Sequence, residues 1–161
     1  MWEAEVRHVV RVERDRCGRR VLRDADGRAV AALAFELDAA EACLVAADPV
    51  LLRVLIRNLV DNSIRYNSAR AIVKVSVLRV ADRVRMIVED SGPGLSEAAR
   101  ARLGERFFRV LGTGQSGSGL GWSIVRRIAG AQGAALRVDR STALGGLWVE
   151  VDWPAPNSTA E

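Results

Sequence analysis

Two alternating apolar runs constrain this 161-residue chain more than any other feature. Val73, Val75 and Val77 occupy every second position between Ile72 and Arg79. Val84, Met86 and Val88 do the same between Arg83 and Glu89. A period of two puts each set on one face of a strand. The intervening Ala81-Asp82 suits a hairpin turn. A hairpin with one apolar face must bury that face against another layer.

Helices for that layer are legible on both sides. Asp48-Pro49 predicts a helix start, with Asp48 as N-cap and proline at the first helical position. This helix should run to about Tyr66. Leu51, Leu55 and Leu59 form its apolar stripe, and Arg53, Arg57 and Asp61 lie opposite. Ser96 predicts a cap for a short helix to about Leu103, with Glu97 in the first turn. A further helix is expected from about Leu120 to Ala131. Ala135 to Val138 and Leu147 to Trp153 read as strands joined by a turn at Gly145-Gly146. Upstream, Val6 to Val12 alternate like a strand, and Ala34 to Leu37 form another short one. Between them, Glu13 to Ala34 fits a helix with Val21, Leu22, Ala25, Ala29 and Ala32 on one side. Gly18 and Gly27 each weaken that helix by about 1 kcal/mol. This element order predicts an α+β domain over residues 1–154 rather than a doubly wound parallel sheet. A tail over 155–161 follows.

Composition excludes several classes. The chain is 49% hydrophobic and 27% charged, which suits a globular domain and not a disordered one. No apolar run approaches the roughly 20 residues of a membrane span, and the charged residues after Met1 argue against a signal peptide. Cys17 and Cys43 are far apart, which excludes a disulfide scaffold or a cysteine zinc site and points to a reducing compartment. His8 is the single histidine, which weakens a histidine metal site or a Ser-His-Asp triad. The net charge of +4 comes from 23 arginines and one lysine, Lys74, against 20 acids. The arginines are dispersed among acids from Arg7 to Arg140. A solvated mixed-charge surface is therefore expected, and no nucleic acid partner.

Three segments carry candidate chemistry. Asn58 and Asn62 project within or beside the apolar stripe of the first helix, with Arg65 nearby. An unsatisfied buried amide costs about 1–3 kcal/mol. These asparagines therefore either cap neighbouring backbone or present amide oxygens to a ligand or metal. Asp90-Ser91-Gly92-Pro93-Gly94 closes an apolar strand. It is either a plain turn or a carboxylate set to accept from an amino group, with glycines allowing close approach. The glycine-rich stretch from Gly112 to Gly121 runs into a helix, where main-chain N–H groups can converge on an anion. A flexible loop is the alternative. Gly112, Gly114 and Gly117 match a dinucleotide G-x-G-x-x-G, but residues 106–111 make a poor preceding strand. No Gly-Lys-Ser/Thr exists, which excludes a P-loop.

Together and in this order, the segments resemble the GHKL ATPase family, specifically the ATP-binding catalytic domain of bacterial sensor histidine kinases. The resemblance covers roughly Asp48 to Pro154. Leu55 to Tyr66 resembles the family's N box and Asp90 to Gly94 its G1 box. Arg106-Phe107-Phe108-Arg109 resembles its F box and Gly117 to Gly121 its G2 box. The implied fold is a Bergerat-type α/β sandwich, a mixed sheet with helices on one face and a short ATP lid. The implied cofactors are ATP and Mg²⁺. Asn62, with Asn58, would hold the metal; Arg65 would reach a phosphate and Tyr66 would pack along the nucleotide. Asp90 would accept the adenine amino group in a pocket shaped by Gly92 and Gly94. Arg109, with Arg106, would sit near the γ-phosphate. Gly117, Gly119, Leu120 and Gly121 would hinge the lid and offer backbone amides.

Position 58 discriminates within the family. Hydrolases such as gyrase B and the heat-shock chaperones place a glutamate there as general base. Asn58 instead fits transfer to a protein histidine and counts against an anti-sigma-type serine kinase, which usually keeps a carboxylate. Several residues depart from the pattern. Gly104 stands where a phenylalanine is common, Trp122 replaces a leucine, Gln132-Gly133 replaces His-Gly, and Leu147-Trp148 replaces Thr-Phe. His8 lies in a strand-like stretch and is not expected to be the phosphoacceptor. The resemblance implies a catalytic domain whose acceptor histidine sits on a dimerisation domain outside this chain. The implied protein is an inner-membrane sensor signalling to a response regulator, with this domain in the cytoplasm. The chain alone is not expected to autophosphorylate. A nucleotide-responsive interaction module without phosphotransfer is the alternative.

Overall fold

A computed structural model describes residues 11–14, 20–23, 29–30, 34–39, 43–67, 71–105 and 120–155, with side chains from Cys43 onward. Its centre is a five-stranded sheet of order β4-β5-β6-β8-β7. The strands are β4 (Ala34–Ala39), β5 (Ile72–Val80), β6 (Arg83–Asp90), β7 (Ala135–Arg140) and β8 (Leu147–Pro154). β4 and β5 pair in parallel, Phe35 opposite Val73. Every other pair is antiparallel. A parallel pair needs a crossover, and here helix α1 (Pro49–Arg65) lies between the two strands in the chain.

The hairpin expectation is met. β5 and β6 pair from Val73–Asp90 to Val80–Arg83, with Ala81 at φ 53 in the turn. Val73, Val75, Val77, Val84, Met86 and Val88 are all buried, as are Val149, Val151 and Trp153 of β8. Asp90 shares the parity of Val84, Met86 and Val88, so the core pattern of β6 ends on a carboxylate.

Helices cover this face. Asp48 caps α1 as its sequence predicts: Oδ1 accepts from the N–H groups of Val50 and Leu51 at 2.8 and 2.9 Å. The buried stripe is Leu52, Leu55, Ile56, Leu59 and Val60. Leu51, expected in the stripe, is exposed, because the core contact is centred one position further along the helix. Arg57 and Asp61 form the expected wet side and pair at 3.5 Å. Helix α2 (Glu97–Ala101) starts at Ser96, whose Oγ accepts from the Ala99 N–H. Helix α3 (Gly121–Ala131) buries Val125, Ile128 and Ala129 and packs on α1. Gln132 then ties the layers together: its Nε2 donates to the Asp48 carbonyl and its Oε1 accepts from the buried Trp153 indole, each at 3.3 Å.

The opposite face of β8 is charged yet covered. Glu150 and Asp152 are buried. Arg137 meets Glu150 at 3.0 Å and Arg83 meets Asp152 at 3.1 Å. Arg85 lies within 4 Å of both carboxylates. A buried carboxylate is tolerated only with such partners.

The N-terminal expectation needs correction. No helix forms from the described residues of the 13–34 stretch. Arg11–Arg14, Arg20–Arg23 and Ala29–Val30 instead make an antiparallel sheet β1-β2-β3, with Arg11 opposite Arg23 and Leu22 opposite Val30. Gly18 and Gly27 lie outside the described residues. The expected strand at 6–12 lies partly outside the described residues. No helix among the described residues is long and apolar enough to cross a membrane.

Candidate functional site

Asp90 is the best-defined element of the site. Its Oδ1 accepts from the Gly92 N–H at 2.9 Å and from the Leu147 N–H at 3.1 Å. Its carbonyl accepts from the Gly146 N–H at 3.0 Å. The β7–β8 turn therefore clasps Asp90 through both main chain and side chain. Burial pushes the Asp90 carboxyl above 3.8; the hydrogen bonds from Leu147, Gly92 and the Asn67 side chain oppose that rise. Ser91 anchors the same loop. Its Oγ accepts from the Ile72 N–H at 2.8 Å, and its N–H donates to the Ile72 carbonyl at 3.0 Å.

The glycines around Asp90 are sterically required. A Cβ on Gly146 would lie 2.6 Å from the Gly92 nitrogen and closer still to the Asp90 carboxylate. A Cβ on Gly92 would collide with the Asn67 amide. Gly94 takes φ +69, and a Cβ there would lie 3.4 Å from the Gly146 carbonyl oxygen.

A second group forms where α1 faces the start of α3. Gly121 approaches both asparagines. A Cβ there would lie 3.2 Å from Asn58 Oδ1 and 3.5 Å from the Asn62 amide atoms. Asn58 donates from Nδ2 to the Val54 carbonyl at 2.8 Å, leaving Oδ1 toward Gly121. Asn62 Nδ2 is buried with no hydrogen-bond partner among the described residues. Leu120 stands at the N-cap of α3 with no side-chain cap bond. The end of a helix with uncapped N–H groups favours anions. Amide oxygens and a glycine-lined approach fit a hard cation carried in by an anionic ligand. No cluster of three or more His, Cys, Asp or Glu is found among the described residues.

Arg65 and Tyr66 end the same helix and are exposed. Gly92 and Gly94 thus lie at the Asp90 loop, and Gly121, next to Leu120, lies against the asparagines of α1. Arg106, Arg109, Gly117 and Gly119 lie outside the described residues. Sequence reasoning missed three contributors: Asn67, Gly146 and the Leu147 N–H. Gly145-Gly146 is legible as a turn, yet nothing local ties it to Asp90, 56 residues earlier for Gly146. The Asn67 position after Tyr66 carries no recognisable signal.

The departures also find places. Gly104 has φ +91, and its missing Cβ makes room for the Arg126 side chain, whose Nη1 donates to the Leu103 carbonyl at 3.1 Å. Trp122, Leu103, Leu136 and Val138 line a cavity of about 400 Å³ between α2, α3 and β7.

Residues 47–157 match the family described as Histidine kinase-, DNA gyrase B-, and HSP90-like ATPase. The chain is 42% identical over 105 residues to the sensor protein QseC of Escherichia coli strain K12, covering 65% of this chain and 22% of that protein. It is 39% identical over 121 residues to the swarming motility regulation sensor protein RssA of Serratia marcescens, covering 74% and 26%. Among solved structures, a mycobacterial sensor histidine kinase, MprB, superimposes with a TM-score of 0.69 at 27% identity. That match covers 76% of this chain and 84% of the other. The chain thus spans about a quarter of the length of the sensor proteins it matches. The chain belongs to the histidine kinase-, DNA gyrase B- and HSP90-like ATPase family, as an ATP-binding catalytic domain of the sensor histidine kinase type.

Proposed function

We propose that this domain binds Mg·ATP and delivers the γ-phosphoryl group to a histidine on the dimerisation domain of the same full-length protein. The observation that carries the reading is the Asp90 clasp: a buried carboxylate with Oδ1 occupied by Gly92 and Leu147. Oδ2 is then available to a base amino group. Gly92 and Gly94 shape the base pocket, and Tyr66 packs along the nucleotide. Asn62 and Asn58 hold the metal, which neutralises phosphate charge when bound. Asn58 Oδ1, turned toward Gly121 with its Nδ2 held by the Val54 carbonyl, supports this fit. Neutral amides suit it, since the phosphates already supply negative charge.

Arg65 reaches a phosphate, and Arg109 with Arg106 meets the charge that develops at the γ-phosphate. Gly117, Gly119, Leu120 and Gly121 deliver main-chain N–H groups at the start of α3. The acceptor imidazole attacks phosphorus in line and ADP leaves, so catalysis is mostly positioning and charge stabilisation. Asn58 supplies no carboxylate base for water. A response regulator takes the phosphoryl group afterwards. We place the domain on the cytoplasmic side of an inner-membrane sensor, in keeping with the sensor proteins it resembles.

Calorimetry with Mg·ATP tests the binding half: the wild type binds, whereas Asp90→Asn and Asn62→Asp bind weakly or not at all. Unchanged binding by Asp90→Asn defeats the reading. Adding the dimerisation hairpin with γ-labelled ATP tests transfer. Phosphohistidine on the hairpin is expected. ATP binding without it assigns the domain to a nucleotide-responsive interaction module instead.

A further inference from the structure

Ser141 is 1% exposed, and each of its polar groups is in use. Its N–H donates to the Gly146 carbonyl at 2.8 Å, and its carbonyl accepts from the Gly145 N–H at 2.9 Å. Its Oγ accepts from the Leu144 N–H at 2.9 Å and donates to Glu89 Oε1 at 2.8 Å. Three of these bonds close the β7–β8 turn on itself. The fourth crosses 52 residues of chain to the strand that ends on Asp90. Gly146 and Leu147, where the turn enters β8, are the residues whose N–H groups clasp Asp90. A hydroxyl has one hydrogen and two lone pairs, so Ser141 can serve the Leu144 N–H and the Glu89 carboxylate together. Alanine there would leave that N–H without its acceptor and that carboxylate without its donor. A part-buried N–H left unpaired is costly enough for the turn to re-form around another partner.

Resting on the nucleotide reading above, we infer that Ser141, held by Glu89, is a positioning residue for base recognition. It fixes the turn so that the Gly146 and Leu147 N–H groups occupy the Asp90 carbonyl and Oδ1, which leaves Oδ2 to the base amino group. Ser141 acts through Asp90 and not by contact with the nucleotide. Support of this kind decides how precisely a recognition group is held. A displaced carboxylate costs a ligand only what that ligand donates to it. The Glu89-Ser141 pair therefore tunes the preference for an amino-bearing purine and leaves phosphate binding alone.

The test measures affinities for Mg·ATP and for Mg·purine riboside triphosphate, which lacks the exocyclic amino group. The proteins are wild type, Ser141→Ala, Glu89→Ala and Glu89→Gln, with thermal melts of each. Ser141→Ala and Glu89→Ala should weaken ATP by roughly fivefold, within the net worth of one hydrogen bond. Binding of the deamino analogue should stay within about twofold. Glu89→Gln keeps an acceptor for Ser141 Oγ and should restore the wild-type ratio of ATP to analogue. A residue that merely supports the turn lowers the melting temperature and moves both nucleotides equally or neither; either result overturns the inference. A loss in Glu89→Gln as large as in Glu89→Ala overturns it as well. Should Ser141→Ala melt below the assay temperature, the two Glu89 variants decide. A wild type that fails to bind ATP, or binds both nucleotides equally, defeats the nucleotide reading itself and this inference with it.

Discussion

The Leu147 main-chain N–H donates to Asp90 Oδ1 at 3.1 Å, across 57 residues of chain. With the Gly146 N–H on the Asp90 carbonyl, this bond fastens the start of β8 to the end of β6. Glu89, the neighbour of Asp90, holds the same turn from the other side of the sheet by accepting from Ser141 Oγ at 2.8 Å. Ser141 in turn accepts from the Leu144 N–H at 2.9 Å. The turn is thus braced by both residues of the Glu89-Asp90 pair.

Gly146→Ala tests that clasp. The new Cβ meets the Asp90 carboxylate and the Gly92 nitrogen, all in tightly held main chain. Overpacking of this kind costs about 1–3 kcal/mol. Denaturant unfolding should report that loss, and ATP affinity should fall with it because Asp90 is displaced.

Asp90→Asn separates stability from binding. Burial raises the Asp90 carboxyl, so the folded state holds this proton more tightly than the unfolded chain. Its contribution to stability is therefore best when protonated and is lost as pH rises from 3.8 through the raised folded value. Asp90→Asn should flatten that dependence and leave the ligand-free domain as stable as wild type, or more so, at neutral pH. In wild type, ATP affinity should fall as the solution is acidified through the raised Asp90 value, since the acceptor is lost. Thermal melts over the mildly acid range, with and without ATP, read both effects.

Gly121→Ala should act on ligand and not on fold. Alanine is favoured over glycine in a helix by up to about 1 kcal/mol. Its Cβ, however, enters the space facing Asn58 and Asn62 at 3.2 and 3.5 Å. The expected outcome is an unchanged or slightly raised melting temperature, with Mg·ATP binding weakened by about tenfold, or about 1.4 kcal/mol. Calorimetry and melting of the same preparation give both numbers.

Gly104→Ala should be destabilising. Position 104 has φ +91, and its Cβ would run into the Arg126 Cδ and Cγ region. Strain of this kind costs about 1–3 kcal/mol. Pairing it with Arg126→Ala should recover part of the loss, because the collision is removed. Urea midpoints of the single and double variants measure the coupling.

Much of the fold is legible in the amino-acid sequence. The alternation of β5 and β6, the Asp48 cap of α1 and the Ser96 cap of α2 are local features. Each depends on residues within a few positions of one another. The site boxes are legible for a related reason: Asn58 and Asn62 are one helical turn apart, and the Asp90 loop is continuous. The N-terminal stretch misleads because Val21-Leu22 fits either period. Strand pairing with Arg11–Arg14 decides it, and no local pattern carries that information.

The sequence by itself determined the family, the order of elements from Asp48 onward and most of the residues proposed to face the nucleotide. These follow from short spacings and from residue chemistry. Only the tertiary structure decided what surrounds them. It set Gly146 and Leu147 on Asp90, laid Asn67 over Gly92, brought Gly121 to the asparagines and gave Gly104's space to Arg126. The reason is physical. A close approach between distant segments is selected by the packing of the whole sheet and its helices, and no single segment encodes its partner.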